Sequence, residues 1–369
     1  MKQFFLSLLF VIVGQSCFAQ TQYKDSIFHD GFYRYFIVYV PSLYDGSKEV
    51  PLVMNFHGRS RSAENQLGYG DFRPLADTAN FIVVHPQGLK DNQGRTTWNL
   101  GNSSDTMDDV GFVDSLIDYL HMNYEIDLDR VYGTGFSRGF FFVCQASCSI
   151  GSRFAAVGGV GAAFVDSTGC YKHYPKPFMQ IHGTADPTVG YEDYEIAFQV
   201  SLIAEYNLCA SNPSIVHLPN VNKSDNSYVT KISYNGCYRE MDVVHLRVND
   251  GGHTWPGVGN ALPNVNYDIK ASDALWEFFS KYDRTGRIGY TSVENLSDTQ
   301  FKLYPNPAHD LIRIEYHNSG ALNYTISNVL GEILHQGQCY SGDEIKLNDF
   351  QAGTYFFAIG GDVRKVLVY

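Results

Sequence analysis

Three short runs of this sequence carry side chains that, brought together, perform nucleophilic acyl transfer. The run Gly135-Phe136-Ser137-Arg138-Gly139 closes an apolar segment at 131–136 and opens another at 140–150. A strand that ends in Gly-x-Ser-x-Gly and passes straight into a helix sets its serine on a sharp turn, with the hydroxyl presented at the helix N-terminus. Small residues at 135 and 139 let neighbouring backbone approach that turn. A serine hydroxyl is a weak nucleophile without a base, and the base needs a carboxylate to orient it. Two later apolar runs end in loops that supply both, in the order serine, acid, histidine. Residues 178–182 lead into Gly183-Thr184-Ala185-Asp186-Pro187, and 243–248 lead into Asn249-Asp250-Gly251-Gly252-His253-Thr254-Trp255. Ser137, Asp186 and His253 are therefore the candidate nucleophile, orienting acid and general base. His182, inside its own apolar run, reads as a core histidine.

A tetrahedral intermediate needs N–H donors where its oxyanion forms. The backbone N–H of Arg138 is one. The other is expected from Asn55-Phe56-His57-Gly58-Arg59, as the N–H of Arg59 or of Gly58. The Arg138 side chain either meets an acidic group on a substrate, such as a uronic acid, or is solvated or paired within the structure. Trp255, Trp98 and His57 are candidates for substrate contact. No metal or cofactor is expected, because the sequence has no His-x-x-x-His or Cys/His cluster; Asp108 or Asp109 is placed to cap a helix instead.

These residues are far apart in the chain, so secondary structure must bring them together. Runs at 31–40, 52–56, 81–85, 131–136, 154–160, 178–182 and 243–248 are short and apolar, most of them nearly continuously so, as strands buried on both faces are. Helical periodicity at 110–124 and 271–282 falls between or after them, which predicts an α/β fold with a mostly parallel sheet. From 301 onward the pattern becomes short alternating strands at 311–316, 324–327, 332–335, 355–359 and 363–369, the signature of a small all-β domain. The expected organisation is a leader at 1–19, an α/β domain at 20–285, a linker at 286–300 and a β domain at 301–369. A chain of 369 residues accommodates that, and 44% hydrophobic with 18% charged residues is a globular composition. A net charge of −12 without any basic run excludes a nucleic-acid binder.

Lys2, an apolar run at 4–13 and Ala19 just before Gln20 form a secretory leader. Gly14-Gln15-Ser16 lacks the apolar lead that acylation of Cys17 requires. No later run reaches the 18 or so apolar residues of a membrane helix. In an exported chain the remaining cysteines can oxidise; Cys209 with Cys237 is the favoured pair, closing a loop worth about 3 to 4 kcal/mol, and Cys148 with Cys170 is the second.

Two resemblances follow from these motifs. Leu303-Tyr304-Pro305-Asn306-Pro307, the run from Ile326 through Asn328 and Gly331 to Glu332, Ala352-Gly353-Thr354-Tyr355 and Lys365 resemble the type A C-terminal sorting domain of the bacterial type IX secretion system. That implies an outer-membrane secretion machine as partner and a secreted or cell-surface location reached through the periplasm; the plainer reading is an accessory β-sandwich, such as a glycan-binding one. Asn55-Phe56-His57-Gly58, His85-Pro86-Gln87-Gly88, Asp108-Asp109-Val110-Gly111-Phe112, the Ser137 turn, His182-Gly183-Thr184-Ala185-Asp186 and Gly251-Gly252-His253-Thr254-Trp255-Pro256-Gly257 resemble the polyhydroxybutyrate depolymerase and feruloyl esterase-like group of carbohydrate esterase family 1, an α/β-hydrolase family. The resemblance implies the same roles for Ser137, Asp186 and His253. The chain departs from the group at Arg138 and Phe140, followed by Phe141 and Phe142, which puts the shape of the acyl pocket in question and leaves the hydrolytic machinery in place. The expected activity is a secreted carboxylic ester hydrolase, monomeric, that removes feruloyl or acetyl groups from plant cell-wall polysaccharide. The alternatives are a polyhydroxyalkanoate depolymerase and a non-catalytic surface carbohydrate-binding protein.

Overall fold

The computed structural model describes residues 20–101, 107–164, 175–259, 264–290, 301–316, 322–329, 331–359 and 362–369. The leader at 1–19 and Cys170 lie outside them. Ten strands form one sheet: β1 (Thr21–His29), β2 (Phe32–Val40), β3 (Val50–Phe56), β4 (Ile82–Pro86), β5 (Ile126–Phe136), β6 (Ala156–Val160), β7 (Phe178–Gly183), β8 (Ser214–His217), β9 (Tyr228–Tyr234) and β10 (Val243–Asn249). Their order is β1-β2-β4-β3-β5-β6-β7-β10-β9-β8. The six strands from β4 to β10 in that order are parallel, and an antiparallel hairpin finishes each edge.

Every residue of β3, β4, β6 and β7 is buried, which is what a parallel sheet covered on both faces requires of its sequence. Among the described residues six helices provide the cover: α1 (Ala63–Tyr69), α2 (Arg73–Ala79), α3 (Asp109–Asn123), α4 (Arg138–Ser149), α5 (Ile196–Tyr206) and α6 (Ala271–Phe279). Phe112, Leu116, Phe140, Val143 and Ile203 of α3, α4 and α5 pack with Leu52, Met54 and Phe178 on one face. Ala76, Leu275 and Phe279 of α2 and α6 pack with Val53, Val83 and Tyr132 on the other. The expected α/β architecture with a mostly parallel sheet is borne out. Parallel strands covered by helices place the loops after β3, β5, β7 and β10 at one edge, the carboxyl edge.

Local features differ from the sequence expectation. β1, α1 and α2 were not foreseen, and α6 stops at Phe279 rather than continuing to 282. Tyr282 instead opens a small hairpin, β11 (Tyr282–Asp283) with β12 (Gly286–Arg287). Arg284 N–H donates to the Asp129 carbonyl and Ile288 N–H to that of Lys281, so chain attached to the α/β unit continues past the boundary expected at 285.

The all-β unit contains β13 (Phe301–Tyr304), β14 (Leu311–Tyr316), β15 (Leu322–Ser327), β16 (Ile333–Cys339), β17 (Glu344–Lys346), β18 (Gly353–Ile359) and β19 (Asp362–Val368). They form two antiparallel sheets, β13-β14-β17 and β16-β15-β18-β19, around Ile312, Ile314, Ile326, Phe357 and Val366. The Asn306 side chain donates to the Lys365 carbonyl at 2.8 Å and accepts from Leu367 N–H at 3.0 Å, tying the Tyr-Pro-Asn-Pro run to the last strand. Among the described residues no helix is long and apolar enough to cross a membrane.

Candidate active site

Strand β5 ends at Phe136 and helix α4 begins at Arg138, which leaves Ser137 between them at φ 51°, ψ −123°. A positive φ is strained for any residue with a Cβ. The surroundings fix it there: Ser137 N–H donates to the Val160 carbonyl at 2.8 Å, and its own carbonyl accepts from Phe140 and Phe141 N–H. The flanking glycine at 139 has no room for a side chain, since a Cβ there would lie 2.2 Å from the Phe56 carbonyl oxygen.

Asp186 and His253 stand on the loops after β7 and β10. A Cβ on Gly183 would lie 2.2 Å from the Gly251 carbonyl oxygen, so the two loops pack backbone to backbone, and Ala185 N–H donates to that same carbonyl at 2.9 Å. Across this contact His253 Nδ1–H donates to Asp186 Oδ2 at 2.7 Å. The other carboxylate oxygen accepts from the Thr188 and Val189 N–H groups, both at 2.8 Å. Burial alone would raise the Asp186 pKa; hydrogen bonds from His182, His253 and Val189 N–H outweigh it and hold the carboxyl well below the usual carboxylate range. Asp186 is therefore an anion that pins the Nδ1–H tautomer and leaves Nε2 of His253 as a base. The His253 ring lies 4.7 Å from the ring of Phe136, the residue before Ser137, and both rings pack on Gly161.

The loop after β3 lies against the same turn. A Cβ on Gly58 would be 3.5 Å from Ser137 Cβ and 3.4 Å from the Phe136 carbonyl oxygen. This puts the backbone of Gly58 and Arg59 beside the start of α4, whose first N–H groups point outward without intrahelical acceptors. The Arg59 guanidinium lies 3.5 Å from Asp91.

Two of the three residues expected to contact substrate do something else. His57 is fully buried: its Nδ1–H donates to the Gly58 carbonyl at 2.8 Å, and its Nε2 accepts from Gly88 N–H at 2.9 Å. Burial pushes its pKa down to about 4. Trp98 is also fully buried, stacked on Phe142, with Nε1–H donating to the His57 carbonyl at 2.9 Å. Neither has surface to offer a ligand; the segment carrying Trp98 folds under the site and braces it. Arg138 belongs to the same brace, its Nε donating to the Trp98 carbonyl at 3.0 Å. Trp255 is also buried, 2% exposed with its Nε1–H donating to Ser272 Oγ at 3.2 Å, but it lies at a cleft wall. A cleft of about 510 Å³ beside the serine turn is lined by Arg61, Glu64, Asn65, Gly68, Tyr69, Phe136 and Trp255.

Most of that wall comes from α1, which sequence reading missed. Its signal was present as a reciprocal cap: the Ser62 hydroxyl accepts from Asn65 N–H while the Asn65 side chain accepts from Ser62 N–H. The two acidic residues of α3 divide their work. Asp108 caps the helix by accepting from Gly111 N–H at 2.8 Å. Asp109 is buried against the Arg34 guanidinium and accepts Asn99 N–H at 2.6 Å, which ties the β1–β2 hairpin to the residue next to Trp98. Cys209 and Cys237 are joined, and Cys148 is also in a disulfide.

Residues 35–174 match the family described as esterase PHB depolymerase, and residues 302–368 match the secretion system C-terminal sorting domain. The chain is 27% identical over 251 residues to the bifunctional acetylxylan esterase/xylanase XynS20E of Neocallimastix patriciarum, covering 68% of this chain and 34% of that protein. It is 28% identical over 256 residues to probable feruloyl esterase C of Aspergillus terreus, covering 67% and 84%. It is 27% identical over 214 residues to poly(3-hydroxyalkanoate) depolymerase C of Paucimonas lemoignei, covering 49% and 51%. The chain thus spans about a third of the length of the first of these relatives. Each of the two resemblances drawn from the motifs thus has a matching family model over part of the chain.

Proposed function

We propose that this chain is an exported serine ester hydrolase that removes acetyl or feruloyl groups from plant cell-wall polysaccharide. The observation that carries the reading is the arrangement at the carboxyl edge: Ser137 on a positive-φ turn at a helix N-terminus, and His253 bonded to an ionised Asp186 with its ring against Phe136. Its support on substrate comes from relatives named for acetylxylan and feruloyl esters.

In the proposed reaction Ser137 Oγ attacks the ester carbonyl carbon while His253 Nε2 takes the hydroxyl proton. Asp186 stabilises the imidazolium that forms. The oxyanion accepts from the N–H of Arg138 and from that of Arg59 or Gly58. Collapse breaks the ester C–O bond, and His253 returns the proton to the departing sugar oxygen. Water then attacks the acyl-serine with the same base assistance, releasing the acid and restoring Ser137. The sorting domain at 302–368 supports delivery to the cell surface or beyond by a secretion machine at the outer membrane.

Hydrolysis of p-nitrophenyl acetate by the chain and its Ser137→Ala variant tests the mechanism. A fall of roughly 10⁴ to 10⁶-fold is expected, and activity that survives the substitution overturns it. The substrate is decided by acetate and ferulate release from arabinoxylan, set beside clearing of a polyhydroxyalkanoate suspension. The second reading, a polyester depolymerase, has support in the family match and in one relative; clearing without release from arabinoxylan establishes it in place of the first.

A further inference from the structure

The β1–β2 hairpin overhangs the catalytic edge of the sheet. β2 pairs with β4 only from Tyr39↔Val83 to Phe36↔Pro86, and Pro86 is the last residue of β4. Among the described residues, 32–35 pair only with 26–29 of β1. Because β4 runs parallel to β3 and β5, this overhang projects past the edge from which Gly58 and Ser137 follow.

Strand alternation puts Tyr33, Tyr35, Ile37 and Tyr39 on one face of β2, with Phe28 of β1 directly opposite Tyr33. Ile37 is buried under Ala63 and Leu67 of α1, and Tyr39 is buried beside it. Beyond α1 the same face is bare: Tyr35 is 58%, Tyr33 63% and Phe28 66% exposed. The Phe28 and Tyr33 rings meet edge to face at 5.3 Å. Three adjacent exposed rings form an apolar strip of the kind that marks an interaction site. The strip sits on a rigid base. On the opposite face Arg34 is buried against Asp109 and lies 4.0 Å over the Phe112 ring, and the Tyr35 carbonyl accepts Gln87 N–H at 2.9 Å. It is linked to the cleft through α1: Glu64 of the cleft wall is bonded to Lys24 of β1, two residues before Ser26, the ladder partner of Tyr35.

We propose that Phe28, Tyr33 and Tyr35 bind the pyranose chain of an ester-bearing polysaccharide and dock the polymer beside the cleft. The inference rests on the polysaccharide esterase reading and adds to it a second contact with the same substrate. Flat rings bind the C–H faces of sugar rings through dispersion and weak C–H donation, while the tyrosine hydroxyls hydrogen-bond sugar hydroxyls. Tyr33 and Tyr35 are spaced by about 7 Å along the strand, on the order of one sugar unit. A neutral polymer is also the partner that a chain of net charge −12 does not repel.

The test uses the full chain carrying Tyr33→Ala and Tyr35→Ala. Its melting temperature and its kcat/KM for p-nitrophenyl acetate serve as controls for folding and chemistry. The proposal expects KM for acetate or ferulate release from arabinoxylan to rise about tenfold with kcat little changed, as loss of two ring contacts to the polymer alone implies. Retention of the Ser137→Ala chain by arabinoxylan in a native gel is expected to weaken in parallel, and Tyr33→Trp, which keeps a ring, is expected to restore both. An unchanged polymer KM overturns the strip, as does gel filtration showing that the rings hold two copies of the chain together while the polymer KM stays the same. Failure of the underlying reading has a different signature, in which the wild-type chain releases neither acetate nor ferulate from arabinoxylan.

Discussion

His182 Nε2 lies 3.4 Å from Oδ2 of Asp186, the same oxygen that receives the Nδ1–H of His253 at 2.7 Å. His182 donates its stronger hydrogen bond to the Val189 carbonyl at 2.8 Å, so it buttresses the acid loop without competing for the proton relay. Asp186→Asn keeps the shape but turns an amide toward His253 and favours the wrong tautomer. The expected loss is about 10⁴-fold in kcat on p-nitrophenyl acetate with the fold intact by circular dichroism. His182→Gln is expected to cost far less, about tenfold, because two backbone N–H donors still hold Asp186.

The buried Arg34–Asp109 pair fixes the hairpin to α3, and through Asn99 it fixes the Trp98 brace. Burial pushes the Arg34 pKa down and that of Asp109 up, against their mutual attraction. Removing one partner strands the other charge out of water. Asp109→Ala is therefore expected to lower stability by about 3 to 5 kcal/mol in urea unfolding, and Arg34→Met with Asp109→Leu together by much less.

Acid should unfold the α/β unit earlier than its carboxylates alone would require. Burial lowers the pKa of His57 to about 4 and those of His85 and His245 to about 3. In the unfolded chain each returns to about 6.5, so between those values the unfolded state binds the extra protons. Their contribution is complete above about pH 6.5 and is lost as pH falls toward 3 to 4, each at about 1.4 kcal/mol per pH unit. Urea midpoints are expected to stay level from pH 7.5 to about 6.5 and to decline from there to pH 4.5, and His245→Gln is expected to flatten that decline by about one proton.

Cys209 and Cys237 enclose β8 and β9, the hairpin at the sheet edge remote from β5. Their separation of 28 residues makes the bond worth about 3 to 4 kcal/mol. The double alanine variant is expected to lose roughly that much stability in urea unfolding and to melt at a lower temperature, while its ester hydrolysis at room temperature is retained.

The legible part of the fold was the part that is buried on both faces. Strands such as 52–56 and 178–182 announced themselves because no residue in them faces water. β1 did not, since Lys24, Asp25 and Ser26 interrupt it and an edge strand needs only one apolar side. α1 and α2 span seven residues each, too few for a helical period to emerge. The run 271–282 overshot because Tyr282, buried with its hydroxyl on Asp242, packs as well in a hairpin as at a helix end. The chemistry-bearing loops were readable because each follows an apolar strand, and glycines mark their closest contacts. Whether Trp98 and His57 face the cleft or lie beneath it was not readable. That depends on Asp109 holding Asn99, with Arg34 behind it, a contact between segments far apart in the chain.

The φ of 51° at Ser137 gives thermal endurance and turnover opposing preferences at one codon. Glycine relaxes that conformation, recovering on the order of 1 to 3 kcal/mol minus its own greater freedom when unfolded. A library screened only for survival of heating would therefore drift toward the inert Ser137→Gly chain, and only a screen that also demands product would keep the hydroxyl.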